Sequence, residues 1–388
     1  MCTRILNNIN KDHITVGRNM DWEFSLEPTI IINPAHGRRI GMSEAELDQI
    51  NQHAAHQLKK TEVLEWEVNY ATVSTLIGNI SEGYGFCDGM NDQGLVANAL
   101  YDTNCSFAKS QEPQQKGLSV LRWGQYILDS FATVPEAVES LSKNTIYLYG
   151  GKVPGDENSP ATLHLSISDR KGKSAILEVK NSEVQIYCHE NYTVMTNQPD
   201  YKTQLKMMDY WLYQWNKPDI FSEQSEALEE AAEKSLDDFM KNIRNPHPVF
   251  SVPGGYTSVQ RFERGCFYRY MYNPQAQEVD PVAQVRAMVA TCIVPVSFEE
   301  LYPINLFEKL KKKLGYSVNS YTLWSNISDS TQRRYYYMSN EMVQTVWFDI
   351  DNEPKECKKL VINSAFKASH HMGPANQVME PCKNAPFY

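Results

Sequence analysis

The sequence predicts an α+β fold in which two antiparallel sheets pack face to face with helices on their outer sides. Three observations lead there. Alternation of apolar and polar residues marks many short strands joined by tight turns, so hairpins outnumber crossover connections. The order along the chain is strands, helices, strands, helices, strands, which is not the strict alternation of a doubly wound parallel sheet. A chain of 388 residues that is 42% hydrophobic can bury a large core. Neither an internal repeat nor a clear linker divides it, so one domain is expected over 1–388.

Taken in order, residues 3–8 and 13–19 are extended runs around Asn10-Lys11-Asp12, a hairpin that brings Arg18 and Asp21 back beside the N-terminus. Thr29-Ile30-Ile31-Ile32, bracketed by Pro28 and Pro34, reads as a buried strand. Ser43-Glu44-Ala45-Glu46 is a capping box that opens a polar helix running to about Lys60. His53 and His56 share one face of that helix, and with no third ligand nearby the pair reads as solvated rather than metal-binding. Strands resume at 69–78, 83–88 and 94–101, with Asp92-Gln93-Gly94 turning between the last two. A polar surface loop at 107–116 leads to helices at 118–131 and 134–141, the second with Pro135 in its first turn. Strong alternation over 162–195, broken by turns at 169–173 and 180–182, gives three or four antiparallel strands. Helices follow at 201–214 and 222–243, the latter charged enough for the surface. Residues 258–271 and 281–290 are mixed in character, and 320–324, 335–338 and 343–349 read as closing strands.

Charge and cysteine usage narrow the function. A formal net charge of −10 argues against nucleic acid and against an anionic membrane surface as partners. No apolar run reaches the ~18–20 residues that span a bilayer. The eight cysteines (Cys2, Cys87, Cys105, Cys188, Cys266, Cys292, Cys357 and Cys382) include no CxxC pair. That pattern indicates neither a zinc framework nor a small disulfide scaffold, and it suits a reducing cytoplasm. No charged-then-apolar leader stands ahead of Cys2. A secreted relative cut before Cys2 and restarted with Met has the same sequence, which leaves the periplasm open.

Cys2 is the residue most suggestive of chemistry. Removal of Met1 makes it terminal, with a thiol and a free α-amine that titrates near pH ~7.7–8.0. Nucleophile and base then belong to one residue. The plain alternative is a cysteine at position 2 with no chemistry attached.

Five stretches, in order, decide between these. They are Met1-Cys2-Thr3 with Gly17-Arg18-Asn19-Met20-Asp21-Trp22; Asp88-Gly89-Met90-Asn91-Asp92-Gln93-Gly94-Leu95; Val194-Met195-Thr196-Asn197-Gln198-Pro199; Val252-Pro253-Gly254-Gly255-Tyr256-Thr257-Ser258-Val259-Gln260-Arg261-Phe262; and Thr322-Leu323-Trp324 with Tyr335-Tyr336-Tyr337-Met338. Together they resemble the choloylglycine hydrolase family of N-terminal-nucleophile hydrolases, which includes conjugated bile-salt hydrolases and penicillin V acylases. The resemblance runs from residue 1 to about 350. It implies a four-layer αββα sandwich and a linear-amide hydrolase that needs no metal and no organic cofactor.

The resemblance also implies roles. Cys2 attacks the amide carbonyl while its own α-amine takes the proton. Arg18 sits near the sulfur, where a fixed guanidinium favours the thiolate. Asp21 orients the amine as the third member of a triad orients its base. Asn197 offers its side-chain amide to the oxyanion. Arg261 completes the electropositive pocket; with Arg264 so near, a surface pair is the plain alternative, and the Arg-Phe pairing decides for Arg261. Taken singly, each has an ordinary reading: a strand-end arginine, an Asp closing a strand, a turn asparagine before Pro199. Tyr101 falls on the second oxyanion position, where a backbone N–H acts. Bile-salt hydrolases usually carry asparagine there and penicillin V acylases tyrosine, so penicillin V is the first substrate expected, ahead of conjugated bile salts and N-acyl homoserine lactones. Met20, Trp22, Tyr101 and the loops after Tyr101 and before Pro160 line a pocket for an apolar acyl group. Core packing explains Met20 and Tyr101 equally well.

Two departures from the family pattern stand out. The stretch from Asp21 to Tyr101 is long, with a polar helical insertion at about 36–66. The stretch from Asn197 to Arg261 is enlarged at about 200–255, in a region that helps relatives assemble. A homo-oligomer is expected, a tetramer or a dimer. An acyltransferase and a non-catalytic binding protein on the same scaffold are the rival functions, and the second has no need of Cys2, Arg18, Asp21, Asn197 and Arg261 together.

Overall fold

The computed structural model describes residues 2–53, 58–79, 83–107, 114–217, 248–249, 251–272, 279–296, 320–350, 354–382 and 386–387. The N-terminal hairpin forms as its alternation requires. Strand β1 (Cys2–Asn7) pairs antiparallel with β2 (Thr15–Trp22), and every residue of both is buried. In the turn, Asn10 Oδ1 accepts the Asp12 N–H at 2.9 Å.

The other strands of the two large sheets follow in chain order: β3 (Thr29–Asn33), β4 (Thr72–Asn79), β5 (Gly83–Asn91), β6 (Val96–Tyr101), β7 (Leu163–Ser168), β8 (Ser174–Lys180), β9 (Glu183–Cys188) and β10 (Val194–Thr196). Then come β11 (Tyr321–Asp329), β12 (Arg334–Ser339), β13 (Gln344–Asp349), β14 (Lys358–Val361), β15 (Gly373–Pro374) and β16 (Glu380–Pro381). One sheet has seven strands in the order β10-β1-β2-β11-β12-β13-β15. The other has nine in the order β9-β8-β7-β6-β5-β4-β3-β14-β16. All their pairings are antiparallel except the two-residue contact of β13 with β15.

The sheets face each other, β1 and β2 against β6. Helices α2 (Val120–Ser130) and α3 (Val134–Leu141) cover the nine-stranded sheet. On the far side of the seven-stranded sheet, α5 (Ser258–Tyr270) lies on β10 and β1, with α4 (Tyr201–Gln214) against it. Helix α6 (Pro281–Ala290) lies on β1 and β2. The four layers are those the element order predicts. Helix α1 (Glu44–His53) carries the expected capping box: Ser43 N–H donates to Glu46 Oε2 at 2.7 Å, and Glu46 N–H to Ser43 Oγ at 3.1 Å. The ribbon pairing Arg38–Ile40 with Glu65–Glu67 brackets it. Ser119 N–H bonds Gly41 O at 2.9 Å and Arg122 bonds Ile40 O at 2.8 Å, tying this segment to α2.

Several expectations change. The two stretches read as mixed are helices, α5 and α6. In α5 the core-facing positions include Arg261, Arg264 and Arg269, all buried, so the helical period is present but is carried by residues that hydropathy counts as exposed. Arg264 is not a surface residue. It donates to the carbonyls of Thr291, Pro253 and Gly255 at 2.6, 2.8 and 2.7 Å. Three ribbons stand outside the expected strands: Arg38–Ile40 with Glu65–Glu67, Lys116–Ser119 parallel to Ile146–Tyr149, and Gly151–Val153 with Asp156–Ala161. The helix expected at 222–243, His56 and the side chain of His53, and most of 200–255 lie outside the described residues. Among the described residues no helix is long and apolar enough to cross a membrane.

Close packing fixes the turn between β5 and β6. Gly94 has φ +82°, and a Cβ there would lie 2.4 Å from Ser330 O. Gly94→Ala is therefore expected to destabilise the protein by about 1–3 kcal/mol, from left-handed strain plus overpacking. Urea unfolding measures this, and a change under about 0.5 kcal/mol, within the range of a neutral surface substitution, would show that the turn relaxes freely.

Candidate active site

Strand register assembles the site before any side chain is considered. Cys2 stands opposite Met20 in the β1–β2 pair. On the other side of β1, Thr3 faces Thr196, and carrying that register one residue further sets Asn197 opposite Cys2. Asn197, Cys2 and Met20 thus form a row across three neighbouring strands. Asn197 is held from behind: Ser258 Oγ accepts the Gln198 N–H at 2.7 Å, and Gln204 Nε2 donates to Thr196 O at 3.1 Å and Pro199 O at 2.7 Å.

The Cys2 nitrogen donates to Asn197 Oδ1 in a short hydrogen bond. Asn197 Nδ2 donates to Tyr101 O at 2.7 Å and, as an amide nitrogen, keeps a second N–H. The main chain of Tyr101 is aimed the same way. Asp102 N–H bonds Thr162 O at 2.9 Å, which makes Tyr101 and Leu163 a non-hydrogen-bonded pair. The Tyr101 N–H therefore points away from β7, on the same side as its carbonyl. There the pairing of β6 with β5 has already ended at Asn98 opposite Asp88.

Arg18 brings charge to the sulfur. Its Nη2 lies 3.5 Å from Cys2 Sγ, 2.9 Å from Met20 Sδ and 3.0 Å from Ala99 O, while Nη1 donates to Asp88 Oδ2 at 3.1 Å. Both partners of this ion pair are buried, with side chains 2% and 0% exposed. Burial works against the Arg18 charge, but Cys2 and then Asp88 outweigh it and raise the guanidinium above its ordinary value. Burial pushes the Asp88 carboxyl up, and Arg18 first, then the hydroxyls of Tyr335 and Thr75, pull it back. Tyr335 donates to Asp88 Oδ1, with Thr75 Oγ1 2.5 Å from the phenol oxygen.

Asp21 and Arg261 form a second buried pair, Oδ2 to Nη1 at 3.5 Å. The Thr322 hydroxyl donates to Asp21 Oδ1 at 2.6 Å. Arg261 does not reach the sulfur as a partner. It grips the residue's main chain, with Nη1 donating to Cys2 O and to Thr3 Oγ1 at 2.5 Å each and Nη2 donating to Asn197 Oδ1 at 3.2 Å. Asp21 thus pairs with the guanidinium that holds the Cys2 main chain, and the Cys2 nitrogen donates to Asn197.

Cys2, Arg18, Met20, Trp22 and Tyr101 all line one hollow. Trp22 and Tyr101 meet edge to face, ring centroids 5.6 Å apart. Val153 and Pro154 come from the stretch expected before Pro160, and Ala161 and Leu163 from just after it. Phe86, Cys87 and Leu121 also line it, outside the residues expected for the pocket. Asp88 was not anticipated, although a charged residue inside the buried run of β5 was a usable signal. Burial pushes the Cys87 thiol up against the pull of Arg18, so the second cysteine of the hollow stays a neutral thiol. The set is able to present a nucleophilic sulfur, a cation beside it and two amide N–H donors to a bound carbonyl. Away from it, among the described residues, the side chains grouped as metal ligands would be are Asp102, His164 and Glu178.

A family model of the linear amide C–N hydrolases, choloylglycine hydrolase family, matches residues 2–363. The chain belongs to the choloylglycine hydrolase family. It is an amidohydrolase of linear amides, and its layers are those of the N-terminal-nucleophile hydrolase fold. A penicillin V acylase from Pectobacterium atrosepticum is 29% identical over 363 residues, covering 90% of this chain and 81% of that protein. A bile salt hydrolase/transferase from Clostridium perfringens is 25% identical over 273 residues, 69% of this chain and 72% of that one. In fold, the chain is similar to a penicillin V acylase from Agrobacterium tumefaciens, with TM-score 0.71, 24% identity and coverage of 100% and 99%. It is likewise similar to a conjugated bile acid hydrolase from Clostridium perfringens, with TM-score 0.67, 21% identity and coverage of 94% and 97%.

The buried pair beside the sulfur has a measurable cost if broken. Arg18→Met strands Asp88 and is expected to destabilise the protein by about 3–5 kcal/mol. Adding Asp88→Asn is expected to recover at least half of that loss, because the uncompensated charge is gone. Denaturant unfolding of parent, single and double variants gives the coupling. A single variant within 1 kcal/mol of the parent, the range of an exposed ion pair, would mean that the pair is not desolvated.

Proposed function

We propose that Cys2 is the nucleophile of an acylase whose first substrate is penicillin V. The observation that carries the reading is the position of Cys2 Sγ in the wall of an apolar hollow, 3.5 Å from the Arg18 guanidinium. Tyr101 at the second oxyanion position and the 29% identity to a penicillin V acylase over 90% of the chain favour that substrate.

In this reading, removal of Met1 turns the Cys2 nitrogen into an α-amine. It donates to Asn197 Oδ1 and keeps its lone pair for a proton. The amine takes the thiol proton as sulfur attacks the amide carbonyl, and a carbon–sulfur bond forms. Negative charge gathers on the former carbonyl oxygen, where Asn197 Nδ2 and the Tyr101 N–H serve as donors. The carbon–nitrogen bond then breaks as the α-ammonium returns its proton to the leaving amine. Water attacks the thioester, the α-amine takes its proton, and free acid and thiol are released. Arg18 supplies a fixed positive charge at the sulfur, and Arg261 with Asp21 holds the Cys2 main chain. The apolar walls, with Met20 and Trp22 among them, receive the acyl group.

The proposal covers one domain over 1–388, a cytoplasmic setting, and assembly as a homo-oligomer. Assembly is supported by aromatic residues left at the surface of α4 and α5: Tyr210, Tyr213 and Tyr268 are 56%, 45% and 42% exposed.

The test is a substrate panel of penicillin V, glycine- and taurine-conjugated bile acids and acyl homoserine lactones, scored by kcat/KM with and without an added amine acceptor. Penicillin V is expected to rank first with free acid as product. A preference for bile acids overturns the substrate, and acyl transfer in place of hydrolysis overturns the reaction. Active protein is expected to have lost the mass of Met1, and Cys2→Ala to lose turnover with its circular dichroism intact. Retained Met1 in active protein would sink the mechanism. Asn197→Ala is expected to lower kcat by about 10²–10³, the usual cost of one oxyanion donor. A loss confined to KM would remove Asn197 from that role.

A further inference from the structure

A second group of buried polar side chains stands on one face of the nine-stranded sheet, outside the sulfur's hollow. Asp102, at the end of β6, lies opposite Thr162, and His164 of β7 lies opposite Leu100. Continuing the β7–β8 register one residue beyond Leu165 and Leu177 sets His164 across from Glu178. Period-two alternation therefore turns Asp102, His164 and Glu178 to the same side. One ligand atom from each lies within 4.8 Å of the other two, and the three residues are 2%, 0% and 8% exposed.

Neither ring nitrogen of His164 has a hydrogen-bond partner, although an imidazole in any protonation state carries at least one N–H. The carboxylates are close to the ring but form no ion pair with it. Each carboxylate is instead held by main chain from behind. Asn104 N–H bonds Asp102 Oδ1 at 2.8 Å, and Tyr201 N–H bonds Glu178 Oε1 at 2.6 Å. The Tyr187 hydroxyl also bonds the Glu178 carboxylate, and such supporting contacts orient both carboxylates as they orient ligands in a metal site. Burial, with Asp102 and Asp200 adding repulsion, pushes the Glu178 carboxyl up to about 7.

We propose that Asp102, His164 and Glu178 bind one divalent cation of the zinc class through an imidazole nitrogen and two carboxylate oxygens. Donor atoms gathered within 4.8 Å of one another can close on a shared centre at bonds of about 2.0–2.2 Å. A dication balances two buried carboxylates, which a water molecule does not. The imidazole selects zinc-like ions over calcium or magnesium, which prefer all-oxygen sites. The site is structural. Asp102 follows Tyr101, and Glu178 holds the start of α4 just after Asn197, so the cation ties together the two segments carrying the proposed oxyanion donors. The binding itself stands apart from the reading of Cys2, and only this consequence rests on it.

The experiment uses the full chain, treated with chelator and dialysed. Calorimetric titration with Zn²⁺ alone is expected to show one equivalent bound and a raised Tm. Co²⁺ is expected to give weak d–d bands with no thiolate-to-cobalt charge transfer, which separates this site from the eight cysteines. His164→Leu and Glu178→Gln are each expected to weaken binding more than tenfold while circular dichroism is retained. No uptake by the parent, cobalt bound through thiolate, or variants that bind as the parent does would each overturn the proposal. Because the parent's stoichiometry and cobalt spectrum decide alone, a variant that fails to fold does not rescue it.

Discussion

Arg18 and Asp88 meet between the two sheets, and much of the molecule is arranged to make that meeting tolerable. Taking each ion out of water costs several kcal/mol even after relaxation, so such a pair persists only where its remaining hydrogen-bonding capacity is met. The partners come from both sheets. Arg18 rises from β2, Asp88 from β5, Tyr335 from β12 and Thr75 from β4, and the Arg18 guanidinium also reaches the Ala99 carbonyl on β6. Sliding one sheet over the other breaks all of these contacts together. The electrostatic setting of Cys2 is therefore a product of sheet packing rather than of loops, which is how a catalytic field is kept preorganised.

The second constraint is an ordered chain terminus. The first residues of a domain usually fray unless something ties them down. Here β1 lies inside a sheet between β10 and β2, Arg261 holds the Cys2 carbonyl, and Asn197 holds the Cys2 nitrogen. Arg261 can do this because it occupies the first turn of α5, whose start is fixed by the reciprocal Thr257–Gln260 capping box. Helix α6 completes the support. A methyl group on Gly17 would come within 3.2 Å of Val285 and Val289, so the hairpin that carries Arg18 and Asp21 has α6 pressed directly on it.

What could be read from the sequence follows the same physics. Strands with one clear period were legible, and so was the four-layer order, because alternation and turn residues are local signals. Helix α5 was not, since Arg261, Arg264 and Arg269 share its buried face with Phe262 and Cys266, and what holds the arginines there includes the distant carbonyls of Cys2, Thr291 and Leu6. The residues that would do chemistry were legible through their motifs, yet their partners were not. Nothing local says that Arg261 turns to the Cys2 carbonyl rather than to its sulfur, or that Asn197 takes the Cys2 nitrogen. Those assignments depend on strand register, which one residue of slip reverses.

The same dependence on register links the wall of the hollow to the charged pair. Across β4 and β5 the pairing runs Thr75 with Asp88, then Leu76 with Phe86, so Cys87 is the extra residue of a bulge. A bulge interrupts strict alternation and re-aims side chains. That is why Phe86 and Cys87 both face the hollow while Asp88, next in sequence, turns to Arg18. Three consecutive residues thus build one wall of the hollow and the counter-ion of the guanidinium beside the sulfur. Exchanging Phe86 for another apolar side chain reshapes the wall and leaves Asp88 in place. Inserting or deleting one residue in β5 moves Asp88 off Arg18 and strands a buried charge. The shape of the hollow can therefore change by substitution along β5 far more readily than by a change in its length.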